Sequence, residues 1–182
     1  MNRCKWCNLK NQKYIYYHDN IWGKLNTSDE YLYKMLILES FQAGLSWECI
    51  LNKIDNFEVA FDNFNIDKII NYDENKVNNL LLNKGIIRNK NKILASINNS
   101  RIFKSIVNEY GSFYKYLCIF TKDKIYYENN LVTSPLSDAV SKDLQKRGMK
   151  FVEALLYILF YKQWVLFILM KKSAFYINLM YN

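Results

Sequence analysis

The sequence predicts a single all-α domain, and three observations carry that expectation. Its 182 residues are enough for one compact domain and too few for two of ordinary size. Half of them (51%) are apolar, so a packed core can form. One proline and five glycines are few breakers for the many turns of a sheet protein.

The elements follow in order. Residues 1–27 read as irregular and aromatic, with side chains suited to a metal. A helix is predicted from Asp29 through Glu39, with Thr27 or Ser28 as its cap. Gly44 interrupts, and Leu45-Ser46-Trp47 leads into a second helix through Ile54. Asp67–Ile70 and Glu74–Leu82 carry apolar spacing near 3.6 and read as two short helices. Gly85 breaks the pattern before a helix over about 91–107, and the signal from Phe113 to Lys124 is ambiguous. Ser134-Pro135 starts a helix that runs to Lys146, and Gly148 supplies a left-handed cap.

Charge and composition narrow the function classes. A net charge of +8 and a pI near 9.2 suit an anionic partner, either nucleic acid or an acidic membrane face. Lysine also accumulates on solvated helix faces, so charge alone does not choose. Residues 151–170 are apolar enough to invite a transmembrane reading. Glu153, Lys162 and Gln163 interrupt them at bilayer depth, so a buried core helix and no membrane partner are expected. No apolar leader precedes Cys4, Cys7, Cys49 and Cys118. A reducing cytoplasm, with metal binding before disulfide pairing, is the expected setting.

Three segments carry chemistry. Cys4, Cys7 and the lone His18 could clip the chain end through zinc, or be a buried cysteine and a hydrogen-bonded histidine. Glu39 ends an apolar run, with Gln42 one turn on and Trp47 after a glycine. A carboxylate near indole and phenol rings makes a box for a flat cationic ligand, whereas a solvated helix face is the plainer alternative. Residues 80–93 put Gly85 between two short helices, with Lys84 and Arg88 beside it. That arrangement can aim backbone N–H groups at a phosphate, although basic helix hairpins also occur on plain surfaces.

Taken together, the runs RCKW, YIYYHDNIWG, LESFQAGLSW, NKGIIRNKNKI and SDAVSKDLQKRGMKFV closely resemble the 3-methyladenine DNA glycosylase type I family over about residues 1–152. The resemblance implies a helix-hairpin-helix glycosylase fold with a zinc clip. By motif position it makes Glu39 the catalytic carboxylate that recognises a flipped base. Trp47 and Tyr17 become stacking walls, with Tyr14, Trp22 and Gln42 shaping the pocket. It gives Lys84, Gly85 and Arg88 to the DNA backbone, and Cys4 and His18 to a structural zinc. A cytoplasmic monomer acting on alkylated double-stranded DNA is the implied whole. The alternative is an inactive or DNA-binding-only product.

After Val152 the resemblance stops, and 153–182 form an apolar tail without the histidine and cysteine that would complete the zinc site. Reading the tail one base out of frame restores a family-like Leu-Gln-(Ala/Thr)-x-Gly run. A frameshift near codon 153 is therefore the expected origin of the tail.

Overall fold

The computed structural model describes residues 3–22, 24, 26–121 and 135–152. Among these the regular elements are helices, with no strand, as composition predicts. The tail 153–182 lies outside the described residues, and so does Ser134 at the expected start of the last helix.

The first segment departs from its irregular reading. It holds α1 (Gln12–Tyr16), followed directly by a π-helical turn, Tyr17–Ile21. Asn11 caps α1, its side-chain oxygen accepting from Lys13 N at 3.0 Å and Tyr14 N at 3.4 Å. Apolar periodicity could not reveal these turns. Their aromatic side chains form a half-buried wall instead of a core-facing stripe.

Helix α2 (Asp29–Gln42) is the centre of the fold. Ser28, not Thr27, is the cap, accepting the Tyr31 N–H at 3.2 Å. The helix passes one turn beyond Glu39, and Leu32, Tyr33 and every residue from Met35 to Phe41 are buried. A helix apolar nearly all round threads a core instead of lying on one.

The helix predicted from Trp47 to Ile54 is two, α3 (Trp47–Leu51) and α4 (Ile54–Ala60). Ser46 starts α3 by accepting the Cys49 N–H at 3.2 Å. The break falls at Lys53, whose φ of −109° and ψ of 1° leave helical geometry. Asp62, Asn63 and Phe64 then turn the chain with φ values of 52°, 55° and 55°. This costly left-handed run is anchored by Tyr72 Oη at 2.6 Å and Lys76 Nζ at 2.8 Å, both donating to Asp62.

Short α5 (Ile66–Ile69) and α6 (Glu74–Leu82) fall close to their predicted positions, capped by Asn65 and Asp73. Helix α7 (Lys90–Tyr110) is longer than predicted, bounded by Asn89 and by Gly111 at φ 80°. The ambiguous stretch becomes α8 (Phe113–Thr121), and α9 (Pro135–Lys146) ends at Gly148 with the predicted left-handed φ of 97°.

Long-range bonds fix these helices around α2. Tyr33 Oη and Ser100 Oγ meet at 2.5 Å between α2 and α7. Asp29 Oδ1 accepts the Phe113 N–H at 2.8 Å, satisfying a free donor at the start of α8. Arg147 joins Glu109, Asp143 and the Tyr110 hydroxyl, closing α9 onto α7. No helix among the described residues is long and apolar enough to cross a membrane.

Candidate active site

Three elements bring the central candidates together. Glu39, near the end of α2, is 1% exposed; Tyr17, opening the π turn, is 2% exposed; Trp47, opening α3, is 5% exposed. The Tyr17 and Trp47 rings lie 5.5 Å apart at 58°. Burial pushes the Tyr17 phenol well above its ordinary range, and the charge of Glu39 is the next contributor. The Trp47 indole N–H is close enough to oppose that rise, though not in hydrogen-bonding geometry. Tyr17 is thus the common neighbour of carboxylate and indole, and it stays a protonated donor at neutral pH.

Around this trio runs an aromatic wall. Tyr14 lies 6.5 Å from Tyr17, and Trp22 stacks on His18 at 5.4 Å and 19°. Trp6 joins the two halves, 5.5 Å from Tyr14, 5.2 Å from His18 and 5.0 Å from Trp22. Trp22 donates its backbone N–H to the Tyr17 carbonyl at 2.7 Å. Among the described residues its ring contacts lead to Tyr17 and Trp47 through Trp6 and Tyr14. Trp6 belongs to the RCKW run, and the sequence assigns it no role. Trp22 Nε1 and Gln42 Oε1 are buried and find no hydrogen-bond partner among the described residues. Such atoms are exceptional in a packed protein.

His18 is held on both nitrogens. Its Nε2 accepts the Cys4 backbone N–H at 3.2 Å, and its Nδ1 meets Asp19 Oδ1 at 2.9 Å. Arg3 grips the same carboxylate, Nε at 2.9 and 3.0 Å and Nη2 at 2.7 Å. The Arg3 bonds, followed by the His18 bond, hold the Asp19 carboxyl down to about 2. Among the described residues no three His, Cys, Asp or Glu side chains group closely enough to hold a metal ion.

The hairpin between α6 and α7, residues 83–89, exposes Lys84 and Arg88. Gly85 is demanded by packing instead of by φ: a Cβ there would stand 2.9 Å from both Cβ and Cγ of Asn56. Two lysines without a distinguishing signal in the sequence tie this hairpin region to the rest. Lys53 Nζ donates to the Lys84 carbonyl at 3.3 Å and to the Gly85 carbonyl at 3.4 Å. Lys92, 6% exposed, donates to the Phe41 carbonyl at 2.8 Å and to the Ala43 carbonyl at 2.6 Å. In sequence Lys53 reads as one more solvated cation and Lys92 as one of the cations of residues 80–93 offered to a strand, because the carbonyls each serves are distant in the chain.

Two clefts lie apart from this group. One of about 990 Å³ runs between the start of α2 and residues 62–68 and contains none of the candidate residues. The other, about 740 Å³, follows the far face of α1 and shares only Tyr17. Size is a poor guide here, since neither cleft combines a buried carboxylate with converging rings.

Comparison with known proteins places the chain in a family. The methyladenine glycosylase family matches residues 6–163. DNA-3-methyladenine glycosylase 1 of Escherichia coli is 36% identical over 158 residues, covering 84% of each chain. A crystal structure of 3-methyladenine DNA glycosylase I superposes with a TM-score of 0.82 at 35% identity, covering 91% of this chain and 93% of that one. A tyrosine-to-phenylalanine variant of such an enzyme, in complex with 3-methyladenine, superposes with a TM-score of 0.81 at 30% identity, covering 91% and 92%. This chain belongs to the methyladenine glycosylase family.

Proposed function

We propose that this chain is a base-excision repair glycosylase, hydrolysing the N-glycosidic bond of 3-methyladenine in alkylated double-stranded DNA after the nucleotide is flipped from the duplex. The burial of Glu39 beside Tyr17 and Trp47 carries this reading. Support also comes from relatives named for this activity and from one such enzyme with 3-methyladenine bound.

The chemistry asks little acid catalysis of the protein. The methylated base is a cation in the nucleotide, so its glycosidic bond is already weakened. When that bond breaks, its electron pair goes to the base, which departs neutral. Water adds to the sugar carbon and gives up its proton. In this reading Glu39 is the catalytic carboxylate, holding the cationic base and stabilising positive charge as it moves to the sugar. Trp47 and Tyr17 are its stacking walls, while Tyr14, Trp22 and Gln42 shape the pocket. The partnerless Gln42 Oε1 and Trp22 Nε1 are the kind of polar atoms a base edge satisfies.

The hairpin of Lys84, Gly85 and Arg88 grips the DNA backbone as a helix-hairpin-helix element, with N–H groups and cations offered to phosphate. Its support is the exposure of both cations and the Gly85 packing that leaves room for no side chain. We set the domain boundary near Val152 and assign 153–182 to a frameshifted tail, whereas the family match runs on to residue 163. A one-base deletion near codon 153 in the gene is the required sign. The chain works as a cytoplasmic monomer on this reading.

A structural zinc at Cys4 and His18 is the remaining expectation from the resemblance. The residues present do not complete it. Tetrahedral zinc takes four donors, His18 is the one histidine of the sequence, and its Nε2 already accepts a hydrogen bond. The Arg3–Asp19–His18 contacts fasten the N-terminal segment in its place, and no step of the reaction passes through a metal.

The deciding experiment is direct: the purified chain releases 3-methyladenine from methylated duplex DNA. DNA binding without base release would favour the inactive, DNA-binding alternative.

A further inference from the structure

We propose that Lys92 is a positioning residue that sets the base pocket against the DNA-gripping hairpin. The inference rests on the glycosylase reading and adds a residue that the reading does not require.

A helix leaves its last carbonyls without partners and its C-terminus partially negative. The last turn of α2 holds no basic residue of its own, yet it carries Glu39, so buried negative charge meets the negative end of the dipole. Lys92 supplies the missing cation from another element. Its ammonium donates to the carbonyls of Phe41 and Ala43, 51 and 49 residues earlier in the chain. The Phe151 ring closes the third side, with Nζ 5.9 Å from its centroid. Bonds from a charged donor that water does not reach hold geometry more firmly than bonds at a surface.

Both ends of this link matter to the reaction. Ala43 opens the short loop through Gly44, Leu45 and Ser46 that delivers Trp47 into α3, and Phe41 lies two residues from Glu39. At the other end, Lys92 is the third residue of α7, and its own N–H bonds the Asn89 cap at 3.1 Å. Asn89 ends the hairpin that carries Lys84 and Arg88. One side chain thus connects the segment that holds the strand to the segment that holds the base. Small displacements of a reacting group cost rate steeply, so a spacer between the two should act on turnover more than on DNA affinity.

The test compares the full chain with Lys92→Met, which keeps the stem and removes the donors, and with Lys92→Arg and Lys92→Gln, which keep some. Base release is followed under single-turnover conditions, with affinity for undamaged duplex measured separately. The indole N–H resonance of Trp47, assigned with Trp47→Phe, is recorded for each protein. Lys92→Met is expected to slow base release by roughly tenfold or more. Its affinity for undamaged DNA should change less than about twofold, and the Trp47 resonance should shift or broaden. Lys92→Arg should recover most of the rate. Full rate in Lys92→Met overturns the proposal, as does a drop in DNA affinity that accounts for the slower rate. Should Lys92→Met fail to fold, Lys92→Gln decides, and an unmoved Trp47 resonance in it overturns the proposal. If the unaltered chain releases no base, the glycosylase reading fails, while the Trp47 resonance still reports whether Lys92 holds the loop.

Discussion

Tyr17 neighbours both Trp47 and Glu39: its ring lies 5.5 Å from the indole, and its phenol is raised first by burial and then by the charge of Glu39. The three residues come from a π turn, the end of one helix and the start of another. Their convergence sets a buried carboxyl group among aromatic rings.

Glu39→Gln keeps the shape and removes the charge. Base release from methylated DNA should fall by roughly 10²-fold, the order expected when one preorganised electrostatic partner is removed. Helical circular dichroism should be retained. An unchanged single-turnover rate would remove Glu39 from the chemistry.

Trp47→Phe tests stacking with less cavity than alanine would leave. Stacking of a base on an aromatic ring is worth about 1–3 kcal/mol, so the smaller ring should weaken binding of free 3-methyladenine by up to roughly tenfold. Calorimetric titration measures this directly, and equal affinity in both proteins would place the base elsewhere.

Lys84→Ala and Arg88→Ala bear on the hairpin. Removing one cation that pairs with a phosphate should reduce the slope of log affinity against log salt by about one, without altering preference among duplex sequences. Fluorescence anisotropy across a salt series reads the slope. Identical slopes for the variants and the parent would exclude these cations from the interface.

Gly85→Ala should destabilise the fold by about 1–3 kcal/mol, because its Cβ must displace the Asn56 side chain. Urea unfolding checks this. Pairing it with Asn56→Gly, which removes both contacted atoms, should recover part of the stability, and additive effects would show that the clash is not the cause.

The N-terminal clip yields a contrast. Chelator treatment should leave the melting temperature unchanged, whereas Asp19→Asn should lower it by removing the partner of both Arg3 and His18. Stoichiometric zinc in the purified protein, with a chelator-sensitive melting temperature, would contradict this.

Much of the fold was legible because its signals are local. The apolar spacing of α6, the left-handed Gly148 and the apolar run of α2 each announce themselves within a few residues. Glu39, Trp47 and Tyr17 were legible as a group through the family-like runs that hold them. Lys92 and Lys53 were not, because their carbonyl partners lie 31 to 51 residues away in sequence. The break at Lys53 was missed for a related reason: apolar spacing continues across it, and only backbone angles reveal the turn. Trp6 escaped because a tryptophan beside two cysteines reads as part of a metal clip, while its ring contacts bridge the two halves of the aromatic wall.

The seclusion of Glu39 inside α2 also bears on how this protein can be improved. A carboxylate 1% exposed within the buried stretch of α2 is costly to bury. Variants selected only for heat resistance should accumulate uncharged residues at that position and shed repair activity as they grow tougher. Screening for survival of alkylating agents at elevated temperature would keep the two properties coupled.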